Sequence, residues 1–214
     1  MTREVPVKQL ALLLPSAMAA AAAILSCAPS IKYASEIPNM KPLEKKALVK
    51  IVRPVPEKGV VYNSEKLGLI YLDGIIAALT TVNTVVMFQA DAGTHYITAK
   101  IDNVSVVKLT MQPGRTYYLV QNISPVPISA PTPGFGRPSG GLTRVDCALD
   151  LVSPDEFSAL LNKNKGAVRY AAYDRKRPVQ SMDRGEKRES EAGYEYWAKS
   201  NPDQARKHYE YMGY

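Results

Sequence analysis

The chain has 214 residues, a formal net charge of +7, 46% hydrophobic residues, two cysteines and a single tryptophan. That length provides one modest core plus a tail rather than two cores, and two cysteines exclude a scaffold stapled by several disulfides. The positive charge means nucleic acid in a cytosolic protein and anionic surfaces in an exported one, so the compartment has to be read first.

The first stretch supplies it. Arg3 and Lys8 form a positive start, followed by an apolar run over 10–25 that is short for a spanning helix and interrupted by Pro15. Ile24-Leu25-Ser26-Cys27 then has the layout of a bacterial lipoprotein signal, although Leu25 is larger than the residue usual before Ser26. Three readings compete. In the leading one, residues 1–27 are a lipoprotein signal and Cys27 is lipidated. Cleavage after Ala28 is the second, and Pro29 beyond the scissile bond disfavours it. An uncleaved anchor is the third. Lipidation anchors stably because each buried methylene contributes about 0.8 kcal/mol and several chains act together. Ala28 after Cys27 offers no aspartate retention signal, so the expected location is the cell envelope, lipid-anchored, on the periplasmic side of an outer membrane.

Residues 28–44, with Pro29, Pro38 and Pro42, read as a tether. From residue 45 the pattern becomes short β-rich runs: 47–53, 68–72, 75–79, 84–89, 94–102, 104–111, 115–121 and 145–151. Asp73-Gly74 between two apolar runs is a strong hairpin signal, and Asp102-Asn103 a weaker one. Asp91-Ala92-Gly93 and Gln112-Pro113-Gly114 each place glycine where the chain reverses into a strand. Such spacing predicts a mainly β fold, an antiparallel β-sandwich over 45–163 of Ig- or PEGA-like type. Ser153-Pro154-Asp155-Glu156 starts a helix by a capping box and predicts a lid at the sandwich edge running to about Asn162, with Phe157, Leu160 and Leu161 inward.

The order Arg53-Pro54, Leu72-Asp73-Gly74, Ala92-Gly93-Thr94-His95 and Pro113-Gly114-Arg115-Thr116-Tyr117-Tyr118 resembles a family of small bacterial lipoprotein domains. That family is similar in pattern to the PEGA-type β-sandwiches of bacterial surfaces. The resemblance spans roughly residues 47–161 and rests on turns, so it implies a fold and a location rather than a chemistry.

Residues 124–141 carry Pro125, Pro127, Pro131, Pro133 and Pro138 among glycines and read as a loop that pairs in no sheet. It would offer Phe135 and Arg137 to a partner groove. Residues 164–214 form a basic, tyrosine-rich tail with two expected short helices, roughly 184–199 and 202–212. Low aliphatic content predicts that this tail is largely disordered in isolation and dispensable for folding, and that Tyr194, Tyr196 and Trp197 contact a partner protein or a sugar surface.

Chemistry is not announced. Only His95 and His208 are present, and neither has a metal-ligand neighbour at a useful spacing. His95 shares a strand face with Ile97 and Ala99 and reads as a core or turn histidine, and Cys147 as a small buried strand residue. No cofactor, metal or catalytic residue is expected. The reading is a non-catalytic envelope interaction module that binds an envelope protein or peptidoglycan, with the membrane held through its lipid and no nucleic acid. Its rival, a carbohydrate-active or peptidoglycan-modifying enzyme, requires paired carboxylates in a groove.

Overall fold

The computed structural model describes residues 31–55, 66–128, 142–163, 168–173, 181–210 and 213. Cys27, the signal segment, Phe135 and Arg137 lie outside the described residues. Ten strands form two sheets: β1 Ile31–Ala34, β2 Lys46–Arg53, β3 Gly68–Leu72, β4 Ile75–Thr80, β5 Thr84–Asp91, β6 Gly93–Lys100, β7 Val104–Met111, β8 Thr116–Ile128, β9 Leu142–Leu151 and β10 Arg169–Tyr173. Among the described residues three helices follow or interleave: α1 Pro154–Lys163, α2 Arg184–Ser200 and α3 Pro202–Glu210. The six-stranded sheet has the order β1-β10-β5-β2-β8-β9 and the four-stranded one β4-β3-β6-β7. The fold is mainly β and is not a closed barrel.

Alternation fills the space between the sheets. Val49 and Ile51 of β2, Val86 and Phe88 of β5 and Leu119 of β8 face Ile70, Ile97, Val107 and Leu109 of the opposing sheet. Each aliphatic side chain so buried contributes about 1.5–3 kcal/mol. Strand β2 is central and is also buried on its other face, where Leu48 and Val52 join Met87, Val120 and Phe157 of α1. Its nearly continuous apolar run is what a strand covered on both faces requires. Pairing is mostly antiparallel, but β2 runs parallel to β8 and β10 parallel to β5.

The turns behave as their residues dictate. Asp73 and Gly74 both have positive φ, 52° and 83°, in a two-residue hairpin closed by Leu72 opposite Ile75. Ser153 and Glu156 form the capping box, with the Ser153 N–H donating to Glu156 Oε2 at 2.7 Å and the Glu156 N–H to Ser153 Oγ at 3.2 Å. Helix α1 lies over the outer face of the six-stranded sheet against β2 and β8, not at the sandwich edge.

Three expected boundaries shift. The stretch 28–44 is not a free tether from residue 31 onward. Strand β1 pairs with β10, Tyr33 meets Thr81 Oγ1 at 3.1 Å, and the Arg169 guanidinium sits 4.3 Å from the Tyr33 ring centroid. Prolines 125 and 127 lie within β8, opposite Val145 and Thr143 of β9, so residues 124–128 pair in the sheet rather than forming part of a loop, and the rest of the expected loop lies outside the described residues. Strand alternation places both missing N–H groups on one edge, and β2, which flanks β8 only as far as Val120, does not require donors there. The tail, finally, is built into the fold. Strand β10 is inserted between β1 and β5, and α2 and α3 pack against β7. The sandwich therefore extends beyond 45–163 at both ends.

Candidate functional site

Strands β7 and β9 are the edges of the two sheets on one side of the sandwich. The free backbone edge of β9 is closed by side chains of the β6–β7 turn and β7 rather than by a strand. Asn103 takes the Cys147 N–H at 2.6 Å and returns its own amide to the Cys147 carbonyl at 3.0 Å. Asp102 Oδ2 accepts from the Val145 N–H at 2.9 Å, and Ser105 Oγ from the Leu149 N–H at 3.0 Å. Alternate N–H groups are thus satisfied, which blunts an edge that would otherwise template pairing.

Helix α2 starts at Asp183, whose carboxylate accepts from the Gly185 and Glu186 N–H groups at 2.8 and 3.4 Å. It docks on the outer face of the four-stranded sheet. Glu195 accepts from the Tyr96 hydroxyl at 2.7 Å and from Lys108 Nζ at 2.5 Å, and Glu186 pairs with Lys100. Those two donors hold the Glu195 carboxyl below its ordinary range, Lys108 contributing first. Tyr194 is buried and meets Tyr96 edge-on at 6.2 Å. Asn201 and Pro202 then turn the chain into α3, where His208 stacks 5.5 Å from Trp197 and its Nδ1 lies 3.0 Å from the Tyr194 hydroxyl.

Between this hairpin and the β7–β9 edge lies a cleft of about 1100 Å³. Its floor comes from Val104–Val106 of β7 and Ala148–Leu151 of β9, and its walls from α2 and α3. On α2 the lining residues Glu186, Ser190, Gly193 and Trp197 recur every three or four positions, one helical face. Asp150, Gln204, Lys207 and His208 complete the rim. Burial pushes the His208 pKa down, with Asp150 opposing in part, so burial disfavours the charged ring. Asp150 accepts from Asn122 Nδ2 at 2.9 Å. Among the described residues no group of histidine, cysteine and carboxylate side chains is arranged to hold a metal ion.

Of the expected contact residues, Tyr194 is an internal anchor, Trp197 lines the cleft, and Tyr196 is 75% exposed on α2. Phe135 and Arg137 lie outside the described residues. His95 is a turn histidine: Nδ1 meets Asp73 Oδ2 at 2.6 Å and Nε2 the Asp91 carbonyl at 2.9 Å, tying two hairpin turns together. Cys147 is buried against the Ala99 carbonyl, and desolvation raises its pKa to about 11, so it is an inert core thiol. His208, Asp150 and Gly193 were not indicated by sequence. Only the spacing of 186, 190, 193 and 197 on one helical face carries a signal, and its mix of charged and small residues reads as a solvated surface.

The chain matches no protein-family model, no curated protein and no solved structure.

Proposed function

We propose that this protein is a non-catalytic, lipid-anchored module of the bacterial cell envelope that binds a partner through the cleft beside β7 and β9. The observation that carries the binding role is the hairpin itself: α2 and α3 place the only tryptophan, Trp197, on the wall of a cleft of about 1100 Å³. Ligand sites combine such aromatic surface with a few convergent polar groups. The anchoring role rests on the sequence up to Cys27 and on turns that resemble PEGA-type surface sandwiches. A lipidated Cys27 would stand four residues before Ile31, where β1 begins, within about 14 Å of it at most. The cleft lies at the β9 edge of the six-stranded sheet, opposite the β1 edge that follows Cys27 in the chain.

Metabolic labelling with an alkynyl fatty acid tests the anchor. Cys27→Ser should lose the label, because only the thiol takes a thioether-linked lipid, and undiminished label on the variant would overturn it. A pull-down from membranes, comparing the wild type with Trp197→Ala, tests the binding face.

Carboxylates at the cleft favour a second reading, a carbohydrate-active or peptidoglycan-modifying enzyme. Asp150, Glu186 and Glu189 all line the cleft, but Glu186 is paired with Lys100. The two readings separate on turnover: a hydrolase would release product from peptidoglycan and lose that activity in Asp150→Asn or Glu189→Gln.

A further inference from the structure

We propose that the cleft beside β7 and β9 is a saccharide site, taking an uncharged oligosaccharide of a few rings; this rests on the reading of the cleft as a binding face and names its ligand class. Four observations converge on it.

The first is charge. In a chain of net charge +7, the cleft is lined by three carboxylates, Asp150, Glu186 and Glu189, against one ammonium, Lys207. Lys100 pairs with Glu186 from outside the lining, which leaves Asp150 and Glu189 against Lys207. A site of this sign repels phosphate, sulfate and carboxylate ligands, so the anionic polymers that the overall charge suggests do not belong here.

The second is the closed edge of β9. A peptide adding as a strand needs free N–H groups, and those of Val145, Cys147 and Leu149 already donate to Asp102, Asn103 and Ser105. What remains available is side-chain chemistry, carboxylate, carboxamide and imidazole, which are the groups that bridge vicinal hydroxyls.

The third is the aromatic wall. Trp197 and His208 stack at 5.5 Å with 22° between their planes, and Tyr194 fixes the His208 ring through Nδ1. Nε2 is then the remaining polar atom of that ring at the cleft. A partly buried indole lining the cleft beside fixed polar groups suits the C–H face and hydroxyl rim of a pyranose.

The fourth is Gly193. It lies mid-helix in α2, facing the cleft, and a Cβ built there meets nothing within 4 Å. No packing contact requires glycine, although it costs a helix about 1 kcal/mol against alanine. An open helix face at that point leaves room for a ligand to approach the backbone.

The test uses full-length protein in mild detergent and reads the selectively excited emission of Trp197, the chain's one tryptophan, in the cleft wall. Titration with the neutral β-1,4-linked tetramer of N-acetylglucosamine, and separately with cellotetraose, should give a saturable emission change with at least one. Gly193→Leu fills the cleft while improving helix propensity, so it should keep or raise the thermal midpoint and weaken binding by about tenfold or more. Asp150→Asn, at an exposed position, should weaken binding without touching the fold. Absence of any saturable change up to about 10 mM overturns the proposal. A saturable change that neither variant reduces places the sugar elsewhere and also overturns it. Saturation by trilysine alone would replace the saccharide with a cationic peptide. The fatty-acid labelling of Cys27 is independent of all these outcomes, so a lost saccharide leaves the anchored-module reading standing, and the reverse.

Discussion

The Tyr194 hydroxyl and His208 Nδ1 lie 3.0 Å apart, and this contact joins α2 to α3 over the cleft. A neutral ring with its proton on Nε2 accepts from the phenol there. Burial lowers the His208 pKa in the fold from its ordinary 6.5, with the Asp150 carboxylate opposing in part and Lys207 beside it at the cleft. The folded state therefore binds the proton less readily than the unfolded one. Stability from this group is fully present above about pH 6.5 and is lost as pH falls through the lower folded value. Trp197 emission should shift toward the red on acidification below that point, and His208→Gln should flatten the change. An identical profile in the variant would mean that another group drives it.

Removing the tail tests a different junction. Truncation after Lys163 deletes β10, which lies between β1 and β5, and with it α2 and α3. Strand β1 loses its only strand neighbour and Tyr71, Ile76 and Leu79 lose Met182. The thermal midpoint should fall by more than ten degrees or so, since a few lost kcal/mol shift a domain of this size by several degrees each. A midpoint held within a few degrees would show that the sheet closes without β10.

These elements mark where the sequence was legible. The eight central strands announced themselves because most are alternating or continuous apolar runs set off by turns such as Asp-Gly, Ala-Gly and Pro-Gly, and their ends fall within about three residues of those in the fold, except that β8 runs on past 121 to Ile128. Strands β1 and β10 did not. Ile-Lys-Tyr-Ala and Arg-Tyr-Ala-Ala-Tyr are short, carry charge, and become strands through pairing with each other and with β5. Context overrides weak local preference in such segments. The tail looked unpatterned for a core because its packing uses aromatic and charged contacts, Tyr194 on Tyr96 and Glu195 on Lys108, rather than aliphatic periodicity. The cleft was illegible for the same reason: it exists only where α2, α3 and two sheet edges from distant parts of the chain meet.

Glycines 93 and 114 have φ of 137° and 75°. A Cβ at Gly114 meets nothing within 4 Å, and one at Gly93 meets only His95 Nε2 at 3.7 Å. Any cost of substitution is thus backbone conformation rather than collision. Gly93→Val and Gly114→Val should each lower stability by more than about 1 kcal/mol, read from denaturant midpoints at unchanged slope. Unchanged midpoints for both would show that these turns relax to negative φ at no cost.

Asn103 acts as a one-residue strand for β9, meeting both the N–H and the carbonyl of Cys147 at 2.6 and 3.0 Å. Asn103→Ala leaves two backbone groups without partners at a half-buried edge and should cost about 2 kcal/mol. Amide exchange at Cys147 should quicken with it, while exchange at Leu149, held by Ser105, changes less. Equal acceleration at both would mean that the edge opens as one unit.

Arg53 sets the opposite kind of test, because its charge is poorly served. The side chain is fully buried at the end of β2, and desolvation lowers its pKa to about 10. Nη1 donates to the Lys66 carbonyl at 2.8 Å and the Thr80 carbonyl at 3.1 Å, whereas among the described residues Nε and Nη2 have no hydrogen-bond partner. A buried cation satisfied on one nitrogen carries its desolvation cost with little return, and an apolar residue of similar length removes that cost. Against this stand two carbonyls that lose a donor, at about 1 kcal/mol each. The opposing terms nearly cancel, so Arg53→Met should change stability by less than about 1 kcal/mol. Arg53→Ala removes the same charge but leaves a cavity beside Gly68, Thr80 and Gln121, and should cost about 2–4 kcal/mol. Urea midpoints of the two variants decide the matter. If methionine proves as costly as alanine, the guanidinium is worth more than its two hydrogen bonds to the Lys66 and Thr80 carbonyls.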